Sequence, residues 1–68
     1  MDMNKIAGYR IMLGMTQDQM AKKFNISKQA YWKKEKRQTQ FSDKEKMKFK
    51  EILKPLFPNI TIDDIFFN

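Results

Sequence analysis

Residues 16–35 read TQDQMAKKFNISKQAYWKKE, and in this stretch two short helices joined by a tight turn can be followed residue by residue. Thr16 with Gln19 three positions on forms a capping box, which satisfies amide donors that a helix start otherwise leaves unpaired. Met20, Ala21 and Phe24 then recur at helical spacing, giving an apolar face that Asn25 interrupts. Asn tolerates left-handed backbone angles, so Asn25 suits the position where the chain reverses, although Gly would cost less strain. The reversal buries Ile26, and Ser27 caps a second helix running to Glu35, with Tyr31 on its inner side. Two helices joined so closely approach each other at their crossing, which explains a residue as small as Ala21 there.

Ahead of this unit, residues 3–13 are predicted to be helical, with Ile6, Arg10 and Leu13 on one stripe. Gly14 ends that helix, since it takes left-handed angles without strain. An arginine on an apolar stripe needs an anion, and Glu35 at the end of the second helix of the unit is the best candidate. A guanidinium fork clamps a carboxylate bidentately, so the pair would tie the first helix to the third. The alternatives are that Arg10 snorkels to solvent or meets a phosphate.

Beyond the unit, residues 36–40 are polar and basic. Ser42 with Glu45 is a second capping box, opening a helix whose apolar face is Phe49, Ile52, Leu53 and Leu56. Pro55 falls near the helix end, where a lost N–H is tolerable, and Pro58 closes the segment. Lys44, Lys46, Lys48, Lys50 and Lys54 alternate with that face, most simply as solvating charge. Thr61 caps a short final segment ending in Ile65, Phe66 and Phe67, too apolar to hang free in water. The expectation is one all-α domain over residues 1–68, with four to five helices and the motif at 16–35. So small a core depends on helical packing or oligomerisation for much of its stability.

Composition narrows the function classes. The chain has no cysteine and no histidine, which removes disulfides, thiolate sites and the common zinc arrangements; no metal and no cofactor is expected. With no paired carboxylates in a plausible cleft and no glycine-rich phosphate loop, an enzyme is the remote reading. No apolar run approaches the roughly 20 residues that span a bilayer, so a cytoplasmic protein without a membrane partner is expected. The net charge of +6 favours an anionic partner, and its placement says more than its size. Seven basic residues and one acidic residue lie between Lys22 and Arg37, whereas no basic residue follows Pro55.

Arg10, Thr16-Gln17, Met20-Ala21, Phe24, Ile26-Ser27, Tyr31 and Glu35 together resemble the pattern of the Xre-type helix-turn-helix family, which includes lambdoid phage repressors and Cro proteins. The chain departs from the family at Asn25, where Gly is usual, at Tyr31 and Lys34, where β-branched and apolar residues are usual, and at Lys36-Arg37, where Asn-Gly or Arg-Gly is common. The resemblance implies a lambda-repressor-like DNA-binding domain whose second motif helix lies in the major groove. Lys28, Gln29 and Lys33 would then meet base edges, Gln29 pairing with adenine and the lysines with guanine or a phosphate. Trp32 falls on the same side; it either presses on a thymine methyl or sugar, or packs beside Lys34 and the following loop. Gln17 at a helix amino end, Ser27, Lys36 and Arg37 are the expected DNA-backbone contacts, with backbone amides of residues 36–40 assisting.

The expected partner is double-stranded operator DNA, bound by a homodimer that presents two recognition helices about 34 Å apart. Residues 56–68 are the expected dimerisation tail, with Phe57, Ile62, Ile65, Phe66 and Phe67 at the interface; the alternative is that the tail folds back on its own subunit. No small-molecule ligand is expected. Repression would work by occluding the operator. The rival from another class is a helix-turn-helix scaffold used as a protein-interaction module that modulates another regulator, which would have no physical reason to keep the Lys28, Gln29, Lys33 surface basic.

Overall fold

The computed structural model describes residues 4–67, which form α1 (Lys5–Met12), α2 (Gln17–Phe24), α3 (Lys28–Glu35), α4 (Asp43–Leu53) and α5 (Ile62–Phe66), with no strand among the described residues. Each helix begins on a side-chain cap. Asn4, Thr16, Ser27, Ser42 and Thr61 each accept a hydrogen bond from the amide three residues on. At Thr16, Ser42 and Thr61 the side chains of Gln19, Glu45 and Asp64 reach back to close a capping box.

The first three helices also end alike. Gly14, Asn25 and Arg37 have left-handed backbones, with φ of 71°, 59° and 64°. In each case the next amide reaches back five positions: Met15 to the Arg10 carbonyl at 3.2 Å, Ile26 to Ala21 at 3.0 Å and Gln38 to Lys33 at 2.8 Å. The left-handed residue's own amide bonds three positions back, to Ile11, Lys22 and Lys34 respectively. These are Schellman caps, and they satisfy the last carbonyls of each helix while turning the chain sharply. Gly14 and Asn25 stand where the residue types predict them; Arg37 is a third such position that its residue type does not announce.

α2 packs on α3, and α5 packs against both α4 and α1. Their shared interior holds Ile6, Met20, Ala21, Phe24, Tyr31, Phe41, Phe49, Leu53, Ile60 and Ile65. Its centre is aromatic. Phe41 lies 5.9 Å from Phe24, 6.4 Å from Tyr31, 6.0 Å from Phe49 and 5.3 Å from Phe66, between ring centroids. Offset and edge-on contacts at such spacings each add about 0.5–1.5 kcal/mol beyond area burial. Phe41 belongs to no helix, so no periodicity marks it, yet it joins the α2–α3 unit to α4 and α5.

Three expectations need correction. α1 starts at Lys5 after its cap at Asn4 and ends at Met12, with Leu13 as its C-cap; position 3 of the expected helix lies outside the described residues. α4 ends at Leu53, and Leu56 sits in the following turn, 47% exposed. Pro55 has no N–H to continue the ladder, and the amides of Leu56 and Phe57 both close onto the Leu53 carbonyl instead, turning Leu56 outward. Lys46 is not simply solvated, since its Nζ stands 4.9 Å from the Phe67 ring centroid and 5.8 Å from that of Phe66. No helix among the described residues is long and apolar enough to cross a membrane.

Candidate functional site

α3 is held from behind by its last residue. Glu35 is almost wholly buried, and its Oε2 accepts from Arg10 Nε at 2.8 Å while its Oε1 accepts from Arg10 Nη2 at 3.3 Å and from Gln17 Nε2 at 3.0 Å. Arg10 Nη1 also donates to the Met15 carbonyl at 2.9 Å, and Asn4 Nδ2 donates to the Glu35 carbonyl at 2.7 Å. One residue of α3 is therefore bonded to α1, to its cap and to the start of α2. Burial opposes the Glu35 charge, but the hydrogen bonds from Arg10 and Gln17, the nearby Tyr31 hydroxyl and the Arg10 charge outweigh it, so its pKa lies below the ordinary carboxylate value. The hydroxyl of Tyr31 is buried and makes no hydrogen bond. It is close enough to Glu35 to feel the carboxylate, and burial first, then that carboxylate, push the phenol far above its ordinary pKa.

With Tyr31 and Glu35 turned inward, the opposite side of α3 is left to solvent. Lys28, Gln29, Trp32 and Lys33 are all exposed and recur at spacings that place them on one face. Trp32 retains 38% of its surface, so the face carries one large ring among amide and ammonium groups. Lys34, on the flank, instead pairs with Glu45 at 3.0 Å and donates to the Gln40 carbonyl at 3.1 Å. Its ammonium also lies 5.9 Å from the Phe41 ring centroid.

The residues expected at a DNA backbone are placed unequally. Gln17 and Lys28 line one open groove together with Thr16 and Asp18, which sets the amino ends of α2 and α3 side by side. Of the two donor hydrogens on the Gln17 amide, one is engaged by Glu35. The Ser27 Oγ accepts from the Ala30 amide, which leaves its own O–H as a donor. Lys36 and Arg37 are exposed just past α3. The amides of residues 36–39, however, bond to the carbonyls of Trp32, Lys34 and Lys33, so the expected assistance of backbone amides in this loop is withdrawn by the α3 cap. Thr39 lines a shallow depression with Ser27, Gln29 and Lys33; sequence reading passed over it because a lone threonine in a polar loop carries no periodic signal.

In the tail, Ile65 is 1% exposed and belongs to the chain's own core, so its expected place at a dimer interface is corrected. Phe66 and Phe57 are half-buried, Phe66 against Phe41 and Phe49, Phe57 edge-on to Tyr9 at 5.9 Å. α5 is too short to bury both its faces, and Phe67, just past its end, stays 64% exposed while Ile62 is half-buried. The described residues contain no group of three or more acidic, histidine or cysteine side chains placed to hold a metal ion. Comparison with known family models, with characterised proteins and with solved structures finds no match to this chain.

Proposed function

We propose that this chain is a sequence-specific double-stranded DNA-binding regulator of transcription, a lambda-repressor-like helix-turn-helix domain acting as a Cro-like repressor that occludes its operator as a homodimer. The observation that carries this reading is the division of α3, with Tyr31 and Glu35 locked inward and Lys28, Gln29, Trp32 and Lys33 displayed together outward. A helix presenting an amide and two ammonium groups on one rigid face has the donors and acceptor that base edges in a major groove require. Lys36 and Arg37 beyond it, with Ser27 and Gln17 at the helix starts, supply the charge and donors for phosphates. Dimerisation would use what the monomer leaves open in the tail, chiefly Ile62 and Phe67 beside the half-buried Phe57 and Phe66.

Selection from a randomised duplex library, followed by isotherms for winners and scrambled DNA at several salt concentrations, tests the reading. A palindromic consensus whose preference flattens in Gln29→Ala supports base readout by a two-fold dimer. Equal binding to every duplex, vanishing with salt, would reduce the surface to a phosphate attractor. The second reading, a protein-interaction module, is favoured by the exposure of Leu56 and Phe67, and an absence of binding at low salt would promote it.

A further inference from the structure

We infer that the cleft between the 36–41 loop, α4 and α5 is a binding site for a small amphipathic anion, a flat apolar body carrying one carboxylate. The cleft has a volume of about 280 Å³. This is the scale of a single-ring ligand, near the lower limit of ordinary ligand pockets. Its buried lining is apolar, made by Ile6, Phe41 and Ile65, and the half-buried Phe66 and exposed Phe67 extend it outward. Three cations, Lys34, Arg37 and Lys46, also line it, with no acidic residue among the lining.

These cations are not equally committed. Lys34 is held by Glu45 and the Gln40 carbonyl. Lys46 has ring faces and no carboxylate among the described residues, and Arg37 has no ion pair there at all. The Arg37 backbone is left-handed, a conformation that disfavours every residue with a Cβ other than Asn and Asp. That conformation is the cap of α3, and it sets Arg37 at the edge of the aromatic cleft. A bare phosphate would satisfy the two free cations and leave the rings idle; a neutral apolar molecule would do the reverse. A ring with one carboxylate uses both, in a site where the expectation from sequence is no small ligand. The assignment does not rest on α3 reading DNA.

Titration of the protein with phenylacetate, followed by amide chemical shifts, tests this, with phenylacetamide and inorganic phosphate at matched ionic strength as controls. The expected result is saturable shifts at residues 39–41 and 65–67 with a Kd on the order of a millimolar, as a ligand this small allows. Phenylacetamide should bind about tenfold more weakly, and Arg37→Gly and Lys46→Met should each weaken phenylacetate by a similar factor, the loss of one charge-assisted contact. Both variants change exposed or half-exposed groups, and a cooperative thermal transition no lower than that of the parent protein would verify that they fold. Shifts absent or located elsewhere, equal binding of the amide, or phosphate matching phenylacetate at the same residues would each overturn the assignment, the last reducing the cations to a phosphate contact.

Discussion

The Glu35 carboxylate takes the Arg10 guanidinium at 2.8 Å, with side-chain exposures of 1% and 15%, so that α3 is fastened to α1 by a charge pair almost removed from water. Gln17 shares the same carboxylate. The outward display of Lys28, Gln29, Trp32 and Lys33 thus depends on a residue on the opposite side of the helix.

Arg10→Met should lower stability by about 3–5 kcal/mol, because it leaves a buried carboxylate with too few donors and also frees the Met15 carbonyl. For a domain of this size that is a fall in Tm of at least ~12 °C. Arg10→Met combined with Glu35→Leu should recover a large part of the loss, since no charge is then stranded. Thermal and urea unfolding of the three variants check both statements; an unchanged Tm in Arg10→Met would refute the role given to the pair.

Acid should weaken the fold in a defined window. Burial resists ionisation of Glu35 and Glu45, but hydrogen bonds from Arg10 and Gln17 in one case and from Ser42 and Lys34 in the other hold both below the ordinary 4.5. A carboxylate whose folded pKa lies below its unfolded value adds stability above the unfolded value, and that contribution fades as pH falls through the folded one. Denaturation free energy should therefore change little through these groups between pH 7 and 5 and drop below pH 4.5. Glu35→Gln should flatten part of the drop.

Glycine at the left-handed caps should stabilise. Arg37→Gly relieves about 1–2 kcal/mol of backbone strain and returns about 0.4–1 kcal/mol through greater freedom of the unfolded chain, for a net gain of roughly 0.5–1 kcal/mol. Asn25→Gly should gain less, since Asn tolerates the conformation. Urea midpoints at constant slope measure both, and a destabilised Arg37→Gly would show that the guanidinium is itself a structural contact.

Phe41→Ala should cost about 3–5 kcal/mol, as much as Phe49→Ala, although Phe41 lies in a loop. Equilibrium unfolding of the two variants makes the comparison, and a loss under ~1.5 kcal/mol would mean that the loop repacks.

On the proposed DNA function, Gln29→Ala should cost about 1–3 kcal/mol on the selected sequence and relax preference at one position of each half-site. Lys36→Ala should weaken all duplexes alike and reduce the salt slope by about 1. Emission of the single, part-exposed Trp32 should change on addition of the selected duplex if its ring meets the DNA. Isotherms at several salt concentrations with emission recorded in parallel read all three.

Local chemistry was legible throughout the chain. Caps at Thr16, Ser27, Ser42 and Thr61, the left-handed turns at Gly14 and Asn25, and the inward side of α2 and α3 follow from residue type and 3.6-residue spacing, because each involves atoms within one or two helical turns. The Arg10–Glu35 contact could also be inferred, since a charge on an apolar stripe demands a partner and Glu35 is the one acidic residue between Lys22 and Arg37.

Phe41, Arg37 and the cleft beside them were decided by tertiary structure alone. A single aromatic between polar residues has no period, and whether it is buried depends on α2, α4 and α5 converging on it from 24, 49 and 66. Arg37 is left-handed because the loop must turn at once toward that burial, whatever residue stands there. In the tail the sequence determined that Ile65, Phe66 and Phe67 must dock, from their hydropathy; which of them the core accepts was set by the facing helices, whose interior closes over Ile65 and leaves Phe67 outside.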